Sequence, residues 1–261
     1  ITDWTNQVLH LMNHVEEQRQ DYPKISNWCI VANGGCSPIA LQVAAKCAQQ
    51  QQQSQSKKLN VSNVVLSSVP RLPFFLRPSN DPIKTAKSYR TLSSLPGKIF
   101  WWYCCRKGGI FIRKFSEKNL VADPDNLGQF WQSNCYNTAI EHNGKSRYAT
   151  FAFLAGALQD GCLSSLEQLK DSNIEIDVIK GRDVRRNKAR SWFWIKSKKG
   201  KSSNSKKADS VSDDAQQKTL RDYLEENGFG GRERIIGGRV SLAHEDAVGY
   251  ADALYDFLRS S

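Results

Sequence analysis

Trp28-Cys29-Ile30-Val31-Ala32 is a continuous apolar run of strand length. Asn33-Gly34-Gly35 breaks it sharply, and Ser37-Pro38 then starts a helix, with Ser as N-cap and Pro in the first turn. Strand, tight glycine turn and helix together present a nucleophile at a sheet end, because the turn holds strained torsions while small neighbours let the helix pack close. The chemistry such a turn serves is acyl transfer: a hydroxyl or thiol at its centre attacks an acyl carbon, and backbone N–H groups hold the oxyanion. Here the centre is Gly34, which has no oxygen to attack with, although the N–H of Gly35 would still point to where an oxyanion forms. Cys36 and Ser37 follow two and three positions later, on the first helical turn, where side chains no longer project to the same spot. A helix N-terminus can lower a thiol pKa, yet Cys36 reads as a buried structural cysteine.

Other chemistry is sparse. His10, His14 and His142 share no metal-like spacing with Cys or carboxylates. Gly228-Phe-Gly-Gly231 and Gly237-Gly238 are turns without the strand and helix context of a phosphate loop or a dinucleotide fingerprint. No metal and no cofactor is therefore expected. The formal charge of +11 is local: from Lys180 to Lys207 there are twelve Lys and Arg against one acid, Asp183, so the remaining 25 basic and 25 acidic residues cancel. Such runs read as solvated loops, and nucleic acid is not the expected partner, although Arg190-Ser-Trp-Phe-Trp-Ile-Lys196 interleaves aromatics with cations that could grip an anionic polymer or membrane face. Trp192, Phe193 and Trp194 are expected to pack beside the sheet or its cap.

The elements that must position the turn follow from periodicity. Trp4, Val8, Leu9, Met12 and Val15 recur at helical spacing over residues 3–18. Ile39 to Ala48 continues the helix after the turn, and the tract Gln49–Gln53 reads as a low-complexity surface loop. Asn63–Ser68 is a second buried-type strand one βαβ unit after the first, so the two should be parallel. Residues 70–150 mix Pro, aromatic and basic residues with short helical stretches, which assigns them to a cap over the sheet edge. Phe151–Leu158 and Leu163–Leu169 are expected as helices, Ile174–Ile179 as a third strand, and 196–217 as a disordered basic loop. Leu220–Glu226 reads as a short helix, Arg234–Ile236 as a last strand and Ala247–Leu258 as a closing helix. The organisation is core over 1–69, cap over 70–150 and core again over 151–261. Ile99–Cys105, the longest aromatic and apolar run, falls far short of the roughly 20 residues of a transmembrane helix.

Ala32-Asn-Gly-Gly-Cys36 stands where the pattern G-x-S-x-G would place its serine at Gly34. Ser37–Ala44 matches the helix that follows such a turn, Val64–Pro70 the next strand and the way into a cap, and Asp123–Gly161, with Phe153-Leu-Ala-Gly-Ala-Leu158, the way out. Ile174–Asp183 matches the strand that delivers a catalytic acid, and Gly238-Arg-Val-Ser-Leu-Ala-His-Glu-Asp246 the loop that carries a catalytic histidine. Over roughly its whole length the chain resembles the α/β-hydrolase superfamily, in particular α/β-hydrolase-like proteins of photosynthetic organisms. The resemblance implies an α/β fold with a mostly parallel sheet, flanking helices and an inserted helical cap. It implies Gly34 and Gly35 as elbow and oxyanion positions, His244 as the histidine and Asp183 as the acid. The acid is expected three residues after Gly181, at Val184, so Asp183 comes one residue early, and Arg182, Arg185 and Arg186 offer it ion pairs instead.

The strands that precede the elbow in that family have no counterpart in residues 1–27, which hold a helix and a turn. The elbow strand would then expose an apolar edge, so an N-terminal extension or a partner strand is expected to complete the sheet. Seven cysteines without a disulfide framework suggest a reducing intracellular compartment, plastid or cytoplasm, and the lack of a leader ahead of Ile1 suggests that a targeting segment has been removed or that the chain is part of a longer product. Three functions compete: a degenerate hydrolase that binds a small apolar or acyl ligand under the cap; an active esterase or lipase that uses His244 as general base; and an anion binder acting through residues 180–207.

Overall fold

The apolar runs form four strands, β1 (Trp28–Asn33), β2 (Val61–Ser67), β3 (Glu175–Gly181) and β4 (Glu233–Ile236), in a parallel sheet of order β1-β2-β3-β4. This computed structural model describes residues 1–18, 27–52, 59–77, 81–107, 110–128, 130–158, 161–182 and 218–259. Asp183, the aromatic run Trp192–Trp194, the basic stretch past Arg182 and the loop 196–217 lie outside the described residues. β2 and β3 occupy the middle and are buried along nearly their whole length, as a parallel strand covered on both faces must be. In register, Val31 lies beside Val65, Leu66 beside Val178 and Ile179 beside Arg234.

Alternation divides the core in two. Val64, Leu66, Ile176 and Val178 point to one face, where α1 (Thr2–Gln18) packs on α2 (Ser37–Gln52). Leu41, Val43, Ala44 and Cys47 of α2 are fully buried there. α2 runs four residues beyond Ala48, so Gln49 to Gln52 continue the helix instead of opening a loop. Glutamine is a good helix former, and extending a nucleated helix costs little.

Between β2 and β3 the chain makes a helical insertion: α3 (Leu72–Phe75), α4 (Pro82–Ser93), α5 (Leu95–Trp101), α6 (Ile110–Asn119), α7 (Trp131–Gly144) and α8 (Arg147–Ala155). α4 packs on both α5 and α8. The insertion leaves and rejoins the core at one place, where the Cys162 N–H donates to the Phe75 carbonyl at 2.9 Å. α9 (Leu163–Leu169) and α10 (Leu220–Glu226) then join α2 on the first face through Leu166, Leu169 and Leu224. α10 starts at a capping box in which the Thr219 side chain and the Asp222 carboxylate satisfy each other's backbone N–H groups.

The second face carries a smaller core, Val65, Ile179 and Ile236 against Leu242 of α11 (Leu242–Glu245) and Ala253 and Phe257 of α12 (Ala247–Arg259). β1 is an edge strand, and its Val31 is 45% exposed. Burial pushes the thiols of Cys29 and Cys47 up to about 11, with the Asp177 carboxylate adding to the effect at Cys29. These cysteines behave as small hydrophobes. No helix among the described residues is long and apolar enough to cross a membrane.

Candidate functional site

Parallel strands end on one side, so the segments after them converge there; open α/β sheets bind ligands at that end. After β1 the chain makes a single tight turn, Gly34–Cys36, and passes straight into α2. Gly34 holds φ +52°, the left-handed region that a residue with a side chain enters only at a cost. A Cβ built on Gly34 would have the Ser68 carbonyl oxygen 3.6 Å away as its nearest neighbour, so the position is open to a small side chain. Gly35 is different. A Cβ there would lie 2.8 Å from Cε2 of Phe153, a ring of α8 laid over the turn. Ser37 does not cap the helix with its side chain: its hydroxyl donates to the Gly34 carbonyl at 2.8 Å and tightens the turn.

Ser68, directly after β2, also holds φ +52°. Its N–H donates to the Ile179 carbonyl at 3.4 Å, and its hydroxyl donates to the Val240 carbonyl at 2.5 Å. The residue nearest the open position at Gly34 thus holds the loop that leads to His244. Beneath it, the Tyr250 hydroxyl donates to Ser67 at 3.1 Å, and Ser67 donates to the Ala32 carbonyl at 3.2 Å, linking α12 to β2 and β1.

The loop after β4 is held by two carboxylates. Glu245 accepts the N–H groups of Ala122 at 2.5 Å and Arg239 at 2.7 Å. Asp246 accepts those of Gly249 and Gly237, each at 2.9 Å, and these hydrogen bonds hold its carboxyl below the ordinary 3.8. The N–H groups of Val240 and Ser241 both donate to the Leu120 carbonyl, at 3.2 and 3.1 Å, so the loop rests on the end of α6. A depressed carboxyl pKa contributes stability above the unfolded value, which is lost as pH falls through the folded one. Asp246→Asn should therefore flatten the decline of the urea midpoint below about pH 4 relative to wild type. An unchanged acid limb would show that the bracket does not stabilise the loop.

His244 is exposed on α11, with its ring centroid 4.8 Å from that of Trp131 at the start of α7. The structure thus brings the glycine turn and the histidine loop to one end of the sheet, joined through Ser68, while Asp183 lies outside the described residues. Cys36 is exposed, not buried. It sits on the turn and lines an apolar groove of about 380 Å³ with Trp4, Val8 and Leu11 of α1, Ile39 of α2 and Leu158 beyond α8; Gln7 is the one amide in that wall. Sequence reasoning missed Ser68, Tyr250 and the Glu245 and Asp246 bracket. Only Asp246 had a local signal: an Asp directly ahead of a helix whose third residue donates to it.

No family model matches the sequence, and no curated protein matches it. Among solved structures, the crystal structure of Cfl2 wild-type from Burkholderia cenocepacia is similar at a TM-score of 0.53, with 12% identity, over 97% of this chain and 71% of that one. The likeness is one of fold. Among the described residues no group of three or more His, Cys, Asp or Glu side chains is placed to hold a metal ion.

Proposed function

We propose that the chain is an α/β-hydrolase-like protein in which serine-type ester hydrolysis is lost or impaired, and which binds a small apolar or acyl ligand in the groove beside its turn. The observation that carries this reading is Gly34. It occupies the strained position between β1 and α2 with φ +52°, where a Cβ would meet only the Ser68 carbonyl oxygen at an ordinary 3.6 Å, yet supplies no nucleophile. A turn that keeps the geometry without the hydroxyl can still hold an acyl group by its backbone N–H groups and the apolar wall, but it cannot form an acyl-enzyme. The groove of Trp4, Val8, Leu11, Ile39 and Leu158 begins at the turn residue Cys36, which is where the apolar part of such a ligand would lie.

Wild type and His244→Ala should both be silent on short- and medium-chain activated esters. Leu11→Arg, which sets a charge at the rim of the groove, should weaken binding of a fluorescent medium-chain fatty acid by about tenfold. Wild-type turnover that disappears in His244→Ala would replace this reading with a hydrolase that uses His244 as general base on water. Fatty-acid affinity unchanged in Leu11→Arg would remove the groove as the ligand site.

A further inference from the structure

Residues 82–107 contain six basic side chains, Lys84, Lys87, Arg90, Lys98, Arg106 and Lys107, and no acidic one. They lie on α4, α5 and the wide helical turn Trp102–Lys107 that follows. One side of α5 is used for packing. Gly97 approaches α4 so closely that a Cβ there would lie 1.5 Å from the Leu92 carbonyl oxygen. Trp101 donates its indole N–H to the Ala139 carbonyl at 3.3 Å and meets Phe151 edge-on at 5.8 Å. The opposite side carries Leu95, Ile99 and Tyr103 at intervals of four, exposed by 69%, 57% and 67%. Lys98 is exposed beside this stripe, and Lys84, Lys87 and Arg90 are exposed on the neighbouring α4.

A single exposed leucine calls for no explanation, but an apolar helical stripe with exposed cations on its own and the neighbouring helix, against one carboxylate, the Asp81 cap of α4 that pairs with Lys84 at 3.3 Å, is a surface made for something. The two halves ask for one occupant. Aliphatic side chains and a tyrosine on a convex helix face offer no pocket to a rigid ligand, but they suit the headgroup boundary of a bilayer, where Tyr concentrates. Lys and Arg stems can lie along that apolar layer while their charged ends meet anionic headgroups, at about 1 kcal/mol each near such a surface.

We propose that this face of the insertion docks on an anionic lipid membrane surface, with Leu95, Ile99 and Tyr103 entering the headgroup boundary and Lys84, Lys87, Arg90 and Lys98 meeting its phosphates. The proposal stands on the insertion alone and does not rest on the ligand reading above. The separate cationic stretch Lys180–Lys207 brings its own attraction to anions, so the test must separate stripe from charge.

The full chain is floated with phosphatidylcholine vesicles, with and without a minority of phosphatidylglycerol, beside a Leu95→Ser/Ile99→Ser variant and a Lys84→Glu/Lys87→Glu/Lys98→Glu variant, each checked for wild-type circular dichroism. Wild type is expected to float with the anionic vesicles and not with the neutral ones. Both variants should lose about tenfold or more in partitioning, the charge variant most at low salt. Wild type that stays at the bottom of the gradient overturns the proposal. So does a Leu95→Ser/Ile99→Ser variant that floats like wild type, because the attraction then belongs to another basic segment, and so does equal flotation with neutral vesicles.

Discussion

Asp177→Ala should destabilise the protein by about 3 kcal/mol, whereas Asp177→Asn should cost about 1 kcal/mol. Asp177 is fully buried on β3. One carboxylate oxygen accepts the Arg232 backbone N–H at 2.8 Å and lies 3.6 Å from the Arg232 Nε, and the other accepts the Asn63 side-chain amide of β2 at 3.2 Å. The Arg232 guanidinium in turn donates to the carbonyls of Asp256 and Phe257, at 2.9 and 2.7 Å, at the end of α12, and rests over the Phe257 ring. A single carboxylate thus ties β2, β3, the approach to β4 and the closing helix together. The Arg232 side chain is 36% exposed, so solvent screens the charge pair and most of the weight falls on the hydrogen bonds. Alanine leaves the part-buried Arg232 N–H without this acceptor and the Asn63 amide with the Glu175 carboxylate alone, at 3.2 Å. Asparagine keeps the acceptor for Arg232, and Asn63, whose Oδ1 has no hydrogen-bond partner among the described residues, can turn to accept the new amide. Urea midpoints followed by circular dichroism check the ranking. Equal losses in the two variants would assign the stabilisation to the charge, and no loss in either would refute the account.

The sheet and the helices that pack on it, α1, α2, α9, α10 and α12, were legible because their signals are local. The run Trp28–Ala32 broken by glycines marks a buried strand and its turn. The parallel relation of β1 and β2 follows from the single helix between them. What stayed hidden depends on contacts between distant parts of the chain. Ser68 meets Val240, Glu245 meets Ala122, and Tyr250 meets Ser67 across more than a hundred residues in each case. No period or spacing records such pairs. Cys36 was misjudged for a related reason: its place on the first helical turn was clear, but whether α1 would cover it or leave a groove was not. The glutamine tract misled because composition suggested a loop where helix propensity and the preceding helix favoured continuation. Gly34 could be singled out because a positive φ at a strand end leaves its mark as glycine.

That same position gives the strongest functional test. Gly34→Ser should confer turnover of activated esters that wild type lacks, on the order of 100-fold or more above it, and should simultaneously lower stability by about 1–2 kcal/mol. The stability loss follows from φ +52°, which a serine adopts at the expense of contact between its Cβ and the backbone; the nearest outside atom to that Cβ, the Ser68 carbonyl oxygen at 3.6 Å, adds no clash. The gain is expected on the proposed reading, in which a hydroxyl at the centre of the turn would act as nucleophile and the Gly35 N–H would receive the oxyanion. Whether His244 serves that hydroxyl is read from Gly34→Ser/His244→Ala: turnover that falls back to the wild-type level would make the histidine loop, which Ser68 holds beside the turn, the source of the base. Reduced stability with turnover still absent would keep the strained turn and remove acyl transfer from the reading. Unchanged stability would contradict the strained turn itself.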